Sequence, residues 1–233
     1  MMIQDGVSVF IPAYNEAGSL AAAVANALHS VSSILPRYQI LIVDDASSDT
    51  TQTIGQKLAK ENKHCMYIRR STNGGLGEAF RSAMPHVTMP FVTWFPGDND
   101  TSARSLKNLI QVRHKADLVM SYSANTWTRS WLRRCISWGF TTVLNVLFGL
   151  HVRYYNGCFI AKTDIVRSVI LKSSGHAVFA ELKLRLIANG VSYREIPFYH
   201  IGRKSGVTSA FRWKNITATF ATLWMLFRDI RIK

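Results

Sequence analysis

The first 120 residues alternate short apolar, β-branched runs with longer stretches of helical periodicity, which confines the chain to βαβ units around a mostly parallel sheet. Strands are expected at 7–12, 38–44, 65–70, 91–95 and 117–121, and helices at 17–30, 49–61, 76–85 and 102–114. Each expected helix opens in a cluster of Ser, Thr, Asp, Asn or Gly, as helix N-termini prefer. Ligands of an open parallel sheet bind beyond the C-terminal ends of its strands. Four polar motifs fall there: Pro12-Ala13-Tyr14-Asn15-Glu16, Asp44-Asp45, Asn73-Gly74-Gly75-Leu76-Gly77 and Asp98-Asn99-Asp100. At 233 residues the chain suits one α/β domain with a sizeable core, in two halves, 1–128 and 129–233.

The motifs carry distinct chemistry. Asp98 and Asp100 emerge together after the apolar run Phe91 to Phe95, and two hard oxygen ligands there suit Mg2+ or Mn2+ with positions left for water and a diphosphate. A turn capping the next helix explains the same residues without a metal. Asp44 fits either a ribose or base contact or a turn, whereas Ser48 and Asp49 are explained by helix capping. The glycines of 73–77 permit close backbone approach to a ligand or a tight turn. They lack the GxGxxG spacing and the Gly-Lys-Ser/Thr ending, which disfavours a dinucleotide fold and a P-loop kinase.

Charge separates the halves. Residues 1–128 hold 11 basic and 10 acidic side chains and residues 129–233 hold 17 and 4, so the second half carries +13 of the net +14. Such asymmetry points to an anionic partner, a membrane surface or a nucleic acid. The stretch from Cys135 to Val152 contains no Asp, Glu, Lys or Arg. Ser137, Thr141, Thr142, Asn145 and His151 dilute it, while Ile136, Phe140, Val143, Leu147 and Leu150 recur at helical spacing. That favours an amphipathic helix lying in an interface over a spanning one. Residues 211–233 repeat the theme, with Trp213, Phe220, Leu223, Trp224, Leu226 and Phe227 bracketed by basic residues.

Glu181 is one of four acids in that half and reads either as a functional carboxylate or as a solvated acid near Lys183 and Arg185. Arg203, Lys204 and Ser205, on a glycine-containing loop, suit phosphate clamping. The seven histidines show no ligand pairing, so none is assigned to metal. Cys65, Cys135 and Cys158 are widely spaced, arguing against a disulfide framework or structural zinc. No basic segment and apolar stretch precede Val7 to Ile11, so no signal peptide is expected, and the catalytic domain is expected in the cytoplasm.

Together, Val9-Phe10-Ile11-Pro12-Ala13-Tyr14-Asn15-Glu16, Val43-Asp44-Asp45-Ala46-Ser47-Ser48-Asp49-Thr50-Thr51, Asn73-Gly74-Gly75-Leu76-Gly77-Glu78-Ala79 and Asp98-Asn99-Asp100, in that order, resemble glycosyltransferase family two. The likeness is to its dolichyl-phosphate mannosyltransferase-like branch of polyprenyl-phosphate glycosyltransferases. It implies a GT-A fold, a nucleoside-diphosphate sugar donor and metal-assisted inverting transfer. Residues 1–128 become the nucleotide-sugar half, with Pro12, Tyr14, Glu16, Asp44, Asp45, Asn73, Gly77, Asp98 and Asn99 around the donor and Asp98 and Asp100 facing metal. Asp100, Glu181 and Arg203 are the candidate catalytic residues. Where the branch usually has Gln two residues after the second acid, this chain has Ser102, and a Ser-Gly-Phe-Arg-like run is replaced by Gly157-Cys158-Phe159-Ile160.

The expected reaction is transfer to a dolichyl or undecaprenyl phosphate by an enzyme resting peripherally on the inner face of a membrane. Arg133, Arg134, Arg203, Lys204 and Ser205 would meet phosphates, an anionic membrane surface would be a partner, and a membrane-anchoring subunit is compatible. One alternative is extension of a lipid-linked or cell-surface glycan through a sugar hydroxyl. That needs a carboxylate base, for which Glu181 is the candidate. A basic nucleic-acid-binding module is disfavoured, because the aromatics lie in apolar helical patterns and no nucleic-acid motif is present.

Overall fold

The computed structural model describes residues 5–128, 130–201 and 224–230. Its centre is a seven-stranded sheet of β1 (Val7–Ala13), β2 (Tyr38–Asp44), β3 (Cys65–Arg69), β4 (Phe91–Trp94), β5 (Leu118–Ser123), β6 (Phe159–Lys162) and β7 (Tyr193–Phe198), in the order β3-β2-β1-β4-β6-β5-β7. The strands pair in parallel except β6, which runs antiparallel to both β4 and β5. The parallel strands therefore all end at one edge, and β6 begins there.

Strict alternation along the strands loads both faces. Val7, Val9 and Ile11 of β1 and Ile40 and Ile42 of β2 enter one core, whereas Phe10, Leu41 and Val43 enter the other. Apolar residues on both faces require helices on both sides. Helices α1 (Leu20–Ser32), α2 (Thr51–Glu61) and α4 (Ala103–Gln111) cover the first core. On the second lie α3 (Leu76–Ala83), α5 (Trp131–Phe148), α6 (Thr163–Arg167) and α7 (Val178–Ala188). Residues 224–230 are helical, and Leu226 is buried in that second core.

All five strands expected in the first half are present within a residue or two. Helix α1 starts three residues later than expected, because 14–19 forms a loop bonded to the end of β2: the Asn15 and Glu16 amides donate to Ser47 Oγ and Thr51 Oγ1. In the second half, α5 begins at Trp131 and ends at Gly149, whose φ of +65° suits a helix C-cap. Its apolar residues divide between two sides. Phe140, Leu144 and Phe148, four apart, pack on the core, while Trp131, Leu132, Ile136, Trp138, Val143 and Val146 are exposed. No helix among the described residues is long and apolar enough to cross a membrane.

Two of the clustered glycines are explained by packing. Gly75 has φ +84°, and the Gly77 amide donates to Ser174 O at 2.7 Å. A Cβ on Gly77 would collide with the Ser173 carbonyl, which is backbone and does not yield cheaply. Gly77→Ala is therefore expected to destabilise the protein by about 2 kcal/mol or more in urea unfolding. Gly175→Ala, whose Cβ meets nothing within 4 Å, should stay within about 0.5 kcal/mol of wild type.

Candidate active site

The four motifs do converge, and backbone geometry draws them together. At the end of β1, the Ala13 carbonyl accepts from the Asp45 amide at 2.9 Å, and Asn15 Oδ1 accepts from the Ser48 amide at 2.8 Å. Gly97 lies so close to the Pro12 carbonyl that no side chain fits, which brings Asp98–Asp100 beside Pro12–Glu16. Asn15, Ala46 and Asn99 have φ of 55°, 61° and 55°. No other non-glycine residue among the described residues has positive φ, and this strain is concentrated at the strand ends.

Asp45, 4% exposed, fastens the third motif. Its carboxylate pairs with Arg70 and accepts from the Gly74 amide and, at 2.6 Å, the Gly75 amide, while Asn73 Nδ2 donates to its carbonyl. Three charge-assisted donors on one buried carboxylate fix the 73–75 turn without a ligand. Asp44 is fully buried, with Oδ1 accepting from the Ser47 amide and Oδ2 from Tyr67 OH at 2.7 Å and Arg69 Nη1 at 3.0 Å. Of the two roles open to Asp44, these bonds fill the turn role. Burial, reinforced by Asp44, pushes the Tyr67 hydroxyl up to about 12, so it remains a donor. Tyr14 is 48% exposed just beyond the end of β1, and Glu16 Oε2 accepts from Ser19 Oγ.

Asp98 and Asp100 are half-buried in a turn in which Asp98 Oδ1 accepts from the Asp100 amide. Ser102 caps α4 by accepting from the Ser105 amide. The sequence missed His200. It follows β7, bridges to Thr101, and is held through its backbone by both ends of the Asn125 amide. Its Nδ1 lies 3.3 Å from Asp100 Oδ2, yet neither buried ring nitrogen makes a hydrogen bond. The imidazole is thus left with hydrogen-bonding capacity toward a ligand at the Asp98–Asp100 edge. Carboxylates and an imidazole are donor types that a divalent metal accepts. Among the described residues, however, no group of three His, Cys, Asp or Glu is placed to hold a metal ion. No local periodicity marks His200; its pairing with Asp100 arises from the β7 crossover.

Glu181 is not a solvated acid. It is fully buried in the first turn of α7, where its carboxylate accepts from the Lys172 and Ser173 amides and from Arg185 Nε. The Ser173–Ser174 carbonyls it positions are those against which Gly75 and Gly77 close. Lys183 on the same helix is also fully buried, donating at 2.7 Å to the Tyr155 and Gly157 carbonyls, and burial pushes its ammonium down to about 7. Arg133 and Arg134 occupy the first turn of α5, which the chain enters from the site edge through a short 3-10 turn at Thr126–Thr128. Arg203, Lys204 and Ser205 lie outside the described residues.

The sequence profile of glycosyl transferase family 2 matches residues 8–167. Over 203 residues the chain is 25% identical to undecaprenyl-phosphate 4-deoxy-4-formamido-L-arabinose transferase of Edwardsiella ictaluri (strain 93-146), covering 86% of this chain. It spans only 61% of that relative's length. Its fold is that of glucosyl-3-phosphoglycerate synthase from Mycobacterium tuberculosis. The structure of that enzyme with Mg2+ and UDP superposes with a TM-score of 0.72 at 14% identity, over 95% of this chain and 79% of the other. The form with Mn2+ and UDP-glucose gives 0.69 at 14% identity, over 97% and 79%. The sheet and its flanking helices are thus of the GT-A type.

Because Glu181 ties α7 to the Lys172–Ser173 segment, Glu181→Gln is expected to cost about 2 kcal/mol in urea unfolding by giving the Lys172 and Ser173 amides a neutral acceptor and leaving Arg185 with Asp229 alone. A loss below about 0.5 kcal/mol would contradict this anchoring role.

Proposed function

The chain belongs to glycosyl transferase family 2, and on that premise we propose that it moves a sugar from a nucleoside-diphosphate donor to a polyprenyl phosphate, dolichyl or undecaprenyl, with inversion, at the cytosolic face of a membrane. The observation that carries the donor side is the meeting of Asp98, Asp100 and His200 at the edge where Pro12, Tyr14, Glu16 and the Asp45-fastened loop also gather. Asp98 and Asp100, with His200, would hold Mg2+ or Mn2+, which would supply charge neutralisation for the departing nucleoside diphosphate. Tyr14 offers its exposed ring to the base, Glu16, Asn73 and Asn99 line the rest of the donor site, and Gly77 acts by closing its loop against the Ser173 carbonyl. Asp44 and Asp45 act by holding the strand-end turns in shape.

The acceptor follows from what the second half lacks. A hydroxyl nucleophile needs a carboxylate base, whereas a phosphate is already largely ionised near neutral pH and needs positioning and charge neutralisation. Glu181 has both oxygens occupied and no exposure. Glu195 accepts from the Arg153 amide, Asp229 pairs with Lys172 and Arg185, and Asp164 starts α6 at the opposite edge of the sheet. The phosphate acceptor therefore suits this set of residues better, with Arg133, Arg134, Arg203, Lys204 and Ser205 as its phosphate donors. The relative's name, which couples transfer to undecaprenyl phosphate, supports the same reading. Exposed Trp127, Trp131, Leu132, Ile136 and Trp138 beside Arg133 and Arg134 suit a helix lying among anionic headgroups.

Nucleoside diphosphates and their sugars should raise the melting temperature only when Mn2+ or Mg2+ is present, because a ligand of the folded state stabilises by mass action. Asp100→Asn should abolish that metal-dependent shift, and His200→Ala should weaken apparent Mn2+ affinity by about tenfold or more. Absence of any shift in wild type with metal and a panel of UDP and GDP ligands would sink the donor reading. For the acceptor, Glu181→Gln should retain most of its transfer per folded molecule. A fall of about a thousandfold or more would instead mark Glu181 as a base and favour a hydroxyl acceptor.

A further inference from the structure

A lysine buried without a carboxylate partner is costly, since desolvation of its charge is not offset by an opposite one. Lys183 is 0% exposed, and its Nζ makes two hydrogen bonds, each 2.7 Å, to the Tyr155 and Gly157 carbonyls. The aromatic ring of Phe159 lies 5.9 Å away. Those two carbonyls flank one residue, Asn156, which is exposed while Tyr155 and Gly157 are buried.

The other bonds of this loop hold it from every side. Tyr155 OH donates to Asn145 Oδ1 of α5, and Asn145 also bonds the Val152 amide and carbonyl. Gly157 closes on the Ser121 carbonyl with no room for a side chain, and the Cys158 carbonyl accepts from the Ser121 amide and hydroxyl. The loop enters β6, whose first residues lie alongside the last residues of β4, with Ile160 opposite Thr93. Asp98 follows β4 by four residues, at the edge where β6 begins. Asn156, three residues before β6, is thus carried at the same sheet edge as the acidic pair.

We propose that Asn156 recognises a hydroxyl group of the donor's sugar, and that Lys183 is the positioning residue that fixes Asn156 for this by clamping the carbonyls on either side of it. A carboxamide both donates and accepts, which matches a neutral hydroxyl and gives no advantage with a diphosphate. A rigidly held amide discriminates between sugars more sharply than a mobile one, because a missing or inverted hydroxyl leaves it unpaired. The inference rests on the reading that Asp98 and Asp100 hold the donor diphosphate.

The test compares Mn2+-dependent affinity for bare UDP and GDP with affinity for the UDP- or GDP-hexose that wild type binds best, by calorimetry on the full chain. Asn156→Ala, at an exposed position, should leave affinity for the bare diphosphate unchanged and cut the gain contributed by the sugar about tenfold, the scale of one hydrogen bond. Lys183→Met should lose the same gain, with intact diphosphate binding showing that it folds. An Asn156→Ala protein that keeps the full gain, or weakens both ligands in parallel, would overturn the proposal, as would a wild type that gains nothing from any sugar. Failure of wild type to bind either bare diphosphate with Mn2+ would overturn the donor site itself, and this inference with it.

Discussion

The buried carboxylate of Asp45 is the interaction on which the site's geometry depends. Its amide is hydrogen-bonded to Ala13, its carbonyl to Asn73, and its two oxygens to Arg70, Gly74 and Gly75. One residue at the end of β2 thereby fixes the end of β1 and the turn before α3. With Gly97 pressed against Pro12, the fourth motif joins the same edge. An apolar residue at position 45 would leave two backbone amides without partners and the half-buried Arg70 guanidinium with only Glu78, 3.9 Å away, which is more costly than losing one surface contact.

The first half was legible because its information is local. Alternating apolar residues in β1, β2 and β4 mark strands buried on both faces, and the motifs follow directly in sequence, so their convergence is a consequence of parallel pairing. Residue roles were less legible. Asp44 and Gly77 look alike as ligand-binding and as structural residues until their partners appear, and those partners, Tyr67, Arg69 and Ser173, are remote in sequence. Asp44 turned inward toward Tyr67, and Gly77 toward the 173–175 backbone.

The second half resisted reading for the same reason. His200 meets Asp100 only because the chain returns along β7 to pair with Thr101. Glu181 and Lys183 sit two residues apart on α7, yet one anchors the Lys172–Ser173 segment and the other the Tyr155–Gly157 loop. Helical spacing marked α5 as a helix, but its expected apolar stripe is not one face: Phe140 and Leu150 pack on the core while Ile136 and Val143 are exposed. It did not foretell that Phe140, Leu144 and Phe148 would face the core, leaving the tryptophans outside.

The central claim is that the acidic pair, completed by His200, holds a divalent metal against the donor diphosphate. Crystals grown with Mn2+ and UDP or GDP, examined by anomalous scattering at the manganese edge, test it most directly. The account predicts one strong peak within coordination distance of Asp100 and His200 and of the diphosphate oxygens. A bound nucleotide with no manganese peak there, or a peak away from Asp98, Asp100 and His200, would contradict it.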